Sequence, residues 1–217
     1  MAARKLFLDK EDFERGLLAL DAKLGKQDMI VAFAPIKLIT AGGFLAVNYL
    51  QNRASTGDLD YLLDPEWASD KDIKGLIHDA IHAVADDLRF NYEWANEGMA
   101  TFVTSSTRKA LFEQAHKQDI VLFAGENIHV LAAPIEWALE RKIRRVFIAN
   151  RERKAEFDLS DCLAMLKVLR EKNNGPLNYE YIRSLNANGF DVVPSGEAMD
   201  SIAATYREKY HEEIFKV

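Results

Sequence analysis

Two carboxylates two positions apart, Asp58 and Asp60, close the stretch Arg53-Ala-Ser-Thr-Gly-Asp-Leu-Asp-Tyr61. If the apolar run that continues through Leu62 and Leu63 is a β-strand, both side chains point to one face of it. Two like charges on one face are unfavourable unless something neutralises them. A divalent cation that prefers oxygen ligands, Mg²⁺ or Mn²⁺, suits that role. Upstream, Gly42-Gly43 opens the apolar stretch Phe44-Leu-Ala-Val-Asn-Tyr-Leu50, which reads as a short helix. Backbone amides at such a glycine turn suit a phosphate group. A phosphate cradle and a metal-binding acid pair are the minimum needed to handle a nucleoside triphosphate such as ATP. Between them, Arg53 either binds a phosphate or braces the turn, and Thr56 reads as a turn residue with a hydrogen-bonding hydroxyl.

Other groups carry weaker chemical signals. His78, His82 and Asp86 fall at i, i+4 and i+8 along one helical face, as on a zinc-binding helix. Asp79 stands where zinc hydrolases carry Glu, and the three side chains span more than two turns, so an exposed polar stripe fits better. Trp94 and Asn96 either shape a binding wall or pack and cap. The run Arg141, Lys142, Arg144, Arg145, Arg151, Arg153, Lys154 is opposed only by Glu152 and reads first as a solvated helix face with the loop after it. Arg141 or Lys142, presented by a helix, could also neutralise β- or γ-phosphate charge. Asp158 and Asp161 read as a helix cap and its first-turn partner.

The elements that must position these groups follow from periodicity. Helical spacing runs from Asp9 or Glu11 to Leu24, from Asp70 to Leu88, and from Ile135 to Val146 after Pro134. Shorter helices are expected over Asn91–Val103, Arg108–Lys117, Asn178–Leu185 and Gly196–Phe215, with a further helix opening at Asp158 and reaching Arg170. The last two flank the break Asn188-Gly189 and the extended stretch Phe190–Pro194. Strands are expected at Met29–Phe33, Ile36–Ile39 and Asp58–Leu63, with a hairpin over Asp119–Phe123 and Ile128–Leu131. The order is a mixed α/β first part, residues 1–133, then an all-helical part, residues 134–217, packed on it: an α+β arrangement.

Bulk properties narrow the classes. A net charge of −6 excludes a global basic field for broad nucleic-acid binding. Cys162 is the only cysteine, so no intrachain disulfide can form and an intracellular compartment is favoured. The N-terminal segment lacks the apolar core of a signal peptide, and no segment approaches transmembrane length, which together suggest a cytoplasmic protein without a membrane partner.

Taken together, Gly42-Gly43 followed by Asp58-Leu-Asp60 resembles the signature of the DNA-polymerase-β-like nucleotidyltransferase superfamily. The fuller pattern, Gly-Gly-Phe-Leu-Ala and then Arg53-x-x-Thr56-x-Asp58-Leu-Asp60, resembles the minimal nucleotidyltransferases related to abortive-infection toxins. Those relatives have one residue fewer between the arginine and the threonine. Trp94-Ala-Asn96, Ile128-His-Val-Leu-Ala-Ala-Pro134, Arg141 or Lys142, and Asp158-Leu-Ser-Asp161 resemble later segments of the same proteins. The resemblance spans roughly residues 5 to 170 and implies a small mixed sheet with helices on one side. It implies that Asp58 and Asp60 coordinate Mg²⁺, that Gly42-Gly43 approaches the triphosphate, and that a nucleoside monophosphate passes from an NTP to an acceptor hydroxyl. Active members use a third carboxylate from a later strand, for which Asp119 is the best-placed residue. The acceptor (a small molecule, a tRNA or a protein) is left open. A catalytically silent protein that binds a nucleotide or a partner is the alternative.

Overall fold

The computed structural model describes residues 3–146, 152–187 and 193–216, and the chain divides into two compact units, Met1–Ala133 and Pro134–Val217. The fold is α+β, with a five-stranded mixed sheet in the first unit and helices alone making up the described elements of the second.

In the first unit, α1 (Lys10–Leu24) starts at Asp9, which forms a reciprocal capping box with Asp12. A short helix α2 (Asp28–Phe33) follows, where a strand is expected from the sequence. Short apolar runs do not distinguish the two periods, and here only Ile30 is buried while Met29, Val31 and Phe33 stay exposed. Strand β1 (Ile36–Thr40) leads through the glycine turn into α3 (Gly43–Asn48), and β2 (Leu59–Leu63) carries the acid pair. Helix α4 (Lys71–Leu88) is capped by Asp70.

Residues 91–103 are not the expected helix. They form the two-residue strand β3 (Ala95–Asn96) and a 3-10 turn, Gly98–Phe102. Tertiary bonds override the helical spacing: the Asn91 side chain donates to the Gly57 carbonyl, Leu59 N–H donates to the Trp94 carbonyl, and the Trp94 indole donates to Ile81 in α4. Helix α5 (Ser105–Gln118) then leads to the hairpin β4 (Val121–Ala124) and β5 (Ile128–Ala132).

The strand order is β3-β2-β1-β5-β4. β1 runs antiparallel to β2 and parallel to β5, and β3 adds to the edge parallel to β2. Alternation along each strand then sorts the faces. Leu38, Leu59, Tyr61, Leu63 and Val130 join α1 and α4 in the main core. The opposite face carries Asp58, Asp60 and the buried Ile39, Leu62 and Leu131, with α5 against β5 and the 3-10 turn against β2. The sheet is therefore covered on both faces, not on one side alone.

The second unit contains α6 (Ile135–Val146), α7 (Glu152–Lys172), α8 (Tyr179–Arg183) and α9 (Gly196–Tyr210). Helix α7 begins well before Asp158, so Asp158 and Asp161 are interior residues of a helix and neither caps it. The Asn188-Gly189 break, Phe190–Val192 and Arg151 lie outside the described residues.

Candidate active site

Asp58 and Asp60 flank Leu59 at the start of β2, and their half-buried carboxylates share the face opposite the main core. Register sets what lies beside them. Thr40 is paired with Tyr61, so Asp60 is level with Ala41, the residue before Gly42, and the glycine turn sits at the acid-pair end of the sheet. The buried Thr40 hydroxyl donates to the Asp60 carbonyl at 2.6 Å, tying the two strand ends together.

The two glycines are required for different reasons. Gly42 has φ +76, a left-handed conformation that disfavours any side chain, and the space where a Cβ would point is open. Gly43 has no room: a Cβ there would meet the side chain of Thr56, with the threonine Cβ at 2.7 Å. Thr56 exchanges backbone hydrogen bonds with Leu8 and is buried beneath the turn. Its position is that of a packing residue under the cradle. Arg53 is half-buried in the loop leading to the acid pair.

On the other side of β2, Asp60 is registered with Asn96 of β3. The Asn96 amide hydrogen-bonds the Asp58 carboxylate. Asn96 also accepts from Gly98 N–H at 2.8 Å and donates to the Glu93 carbonyl at 3.2 Å, which fixes its orientation. A Cβ on Gly98 would lie 3.2 Å from an Asp60 carboxylate oxygen. Burial pushes the Asp58 carboxyl above its ordinary value, opposed by the Asn96 hydrogen bond and reinforced by the Glu93 carboxylate.

Asp119 does not belong to this group. It is not the first residue of a strand but the exposed, left-handed C-cap of α5, its N–H bonded to the Ala115 carbonyl. It enters β4, three places from β2 in the sheet order, a separation of about 14 Å at the usual strand spacing. The expected third carboxylate is thus displaced by topology, and Asn96 stands beside the pair in its place. The sequence offers Asn96 as a binding-wall or capping residue and as part of a matching segment; its register with Asp60 is not readable from spacing.

Among the described residues, no group of three or more His, Cys, Asp or Glu side chains is placed to hold a metal ion. The zinc-helix reading fails on particulars. Asp86 is held by Arg4 and by the Tyr92 hydroxyl at 2.8 Å, and the His78 and His82 rings lie against each other, tilted, with centroids 4.1 Å apart. The acid pair still fits Mg²⁺, which takes one or two protein carboxylates and fills its remaining positions with phosphate and water.

The cations expected to face phosphate are in the second unit. Lys142 is buried and its ammonium contacts Asp158 at 2.6 Å and Asp161 at 2.7 Å. Arg145 joins Asp158 at 3.3 Å, Arg144 bonds Glu140 and the Leu185 carbonyl, and the Arg141 guanidinium lies 5.4 Å from the Trp137 ring. These members of the basic run are engaged within their own unit and do not form a bare solvated face. Arg151 and the side chains of Arg153 and Lys154 lie outside the described residues. No helix among the described residues is long and apolar enough to cross a membrane.

No family model matches the chain, and neither a curated protein nor a solved structure matches it.

Proposed function

We propose that the chain is a Mg²⁺-dependent nucleotidyltransferase that moves a nucleoside monophosphate from an NTP to an acceptor hydroxyl. The observation that carries this reading is the pairing of Asp58 and Asp60 on one strand face with the glycine turn at the same end of the sheet. The Gly42-Gly43 backbone offers amides and open space to a phosphate chain, and the two carboxylates offer oxygen ligands beside it. Mg²⁺, when bound, would neutralise phosphate charge. In the transfer, a bond forms between the acceptor oxygen and the α-phosphorus while the bond to the bridging oxygen breaks. Pyrophosphate leaves with that electron pair, and the acceptor proton passes to a carboxylate of the pair. Positioning and charge neutralisation provide most of such catalysis.

A second reading has its own supporting observation. Asn96, an amide, occupies the register position beside Asp60, and Asp119 is three strands away. A site with two carboxylates can bind Mg²⁺ and nucleotide without assembling a transfer-competent centre. The tRNA-acting variant gains no support, because the basic side chains Lys142, Arg144 and Arg145 are tied to carboxylates.

The deciding experiment supplies α-labelled NTPs with Mg²⁺ or Mn²⁺ to wild type, Asp58→Ala/Asp60→Ala and Asn96→Asp, with small-molecule, RNA and protein acceptors. The transferase reading expects label transfer in wild type and loss in the double variant. Nucleotide binding without transfer, with transfer appearing in Asn96→Asp, selects the silent reading. Transfer that survives the double substitution sinks both.

A further inference from the structure

On the core side of β2, a cavity of about 360 Å³ opens beneath α4 at the free edge made by β3. Its volume lies within the range of small-molecule sites, roughly 300–1,000 Å³. Leu63, Ile77 and Ile81 form the floor. One wall is a series of rings: His78 and His82 lie tilted to one another with centroids 4.1 Å apart, and His82 and Tyr92 lie 5.4 Å apart. Tyr92 is fixed by its hydrogen bond to Asp86 and by the Arg4 guanidinium 3.9 Å from its ring centroid.

The charges on the rim are unequal in their commitments. Glu97 is held between Lys74 at 2.7 Å and Arg108 at 2.8 Å, and Lys74 is turned toward that carboxylate. Glu93, exposed on the rim, makes no side-chain hydrogen bond or ion pair among the described residues, and its charge reaches the Asp58 carboxylate. A wall of flat rings ending at an unpaired carboxylate suits an organic cation whose carbon skeleton lies along the rings.

We propose that this cavity binds a small organic amine, its ammonium group at Glu93 and its carbon skeleton along the His78–His82–Tyr92 wall. The cavity lies on the opposite face of β2 from the acid pair, with Asn96 and Gly98 between them, and Glu93 is the rim group whose charge reaches Asp58. The proposal does not depend on nucleotidyl transfer, and either can fail alone.

The test titrates choline, spermidine and tyramine against the full chain by calorimetry and by chemical-shift changes at Tyr92 and His82. Inorganic phosphate and the uncharged tert-butyl analogue of choline serve as controls. At least one amine is expected to bind with shifts at the ring wall while the controls do not. Glu93→Gln, an exposed substitution that leaves the core untouched, is expected to weaken that amine by about tenfold, a loss within the reach of one ammonium–carboxylate contact. Asp60→Asn should leave the amine affinity within about twofold, since that carboxylate lies on the other face of β2. No binding by any amine, equal binding of the uncharged analogue, preferential binding of phosphate, or amine affinity lost in Asp60→Asn but kept in Glu93→Gln would each overturn the proposal.

Discussion

Each unit of the molecule holds a pair of aspartates, and the pairs are treated in opposite ways. Asp158 and Asp161 lie one helical turn apart on α7, are almost wholly buried, and close on the Lys142 ammonium with Arg145 alongside. Asp58 and Asp60 lie at strand spacing on β2, remain half-buried, and Asp58 faces the Asn96 amide and the Glu93 carboxylate. The first pair has its counter-charge built into the fold. For Asp58 the fold supplies a hydrogen bond and a further like charge. Acidic pairs are thus informative only with their surroundings: internal neutralisation by Lys142 marks a structural network, whereas Asp58 is left with a raised carboxyl.

The sharpest way to break this contrast is to remove the counter-charge. Lys142→Met removes the ammonium that both buried carboxylates close on and is expected to destabilise the protein by about 3–5 kcal/mol. Thermal unfolding should show the corresponding fall in Tm, and an unchanged Tm would show that the buried network is not structural. Next in size, Asp58→Ala/Asp60→Ala should lower label transfer by about 10²–10³-fold, the range seen when one electrostatic element of an active site is lost. The same double variant should be no less stable than wild type without Mg²⁺, the reverse of Lys142→Met, which chemical denaturation can check.

A smaller effect separates the two glycines. Gly43→Ala forces a methyl group against Thr56 and should cost about 1–3 kcal/mol, the usual range for overpacking. Gly42→Ala meets no neighbour, so its cost is the left-handed backbone alone, about 1–2 kcal/mol. Denaturant midpoints of the two variants order them.

The smallest expected effect is in pH. Because the folded Asp58 carboxyl is raised above its ordinary value, the folded state holds that proton more tightly than the unfolded chain does. Its contribution therefore favours folding at low pH and is lost as pH rises through the raised value. Mg²⁺ competes with the same proton, so the Tm increase caused by Mg²⁺ should be absent in acid and emerge over that window. Scanning Tm against pH with and without Mg²⁺ measures this, and in Asp58→Asn the window should vanish.

Much of the scaffold was legible along the chain. The helix start at Asp9, the spacing of Ile73, Ile77, Ile81 and Val84, and Pro134 before α6 all act within a few residues. The strand at Asp58–Leu63 was legible for the same reason, and its period of two puts both aspartates on one face whatever else the fold does. The helix expected over Asn91–Val103 was not borne out, because the bonds that hold this segment come from Gly57, Leu59 and Ile81, distant in sequence.

The sequence by itself determined that a glycine turn precedes an acid pair and that both aspartates share one strand face. Only the tertiary structure decided their company. Strand order sends Asp119 to the far side of the sheet, register sets Asn96 beside Asp60, and the packing of α6 on α7 gives Lys142 to Asp158 and Asp161. Turns, caps and strand faces arise from neighbours in the chain. Which charges meet across strands and helices depends on contacts between residues far apart in it, and no local pattern encodes those.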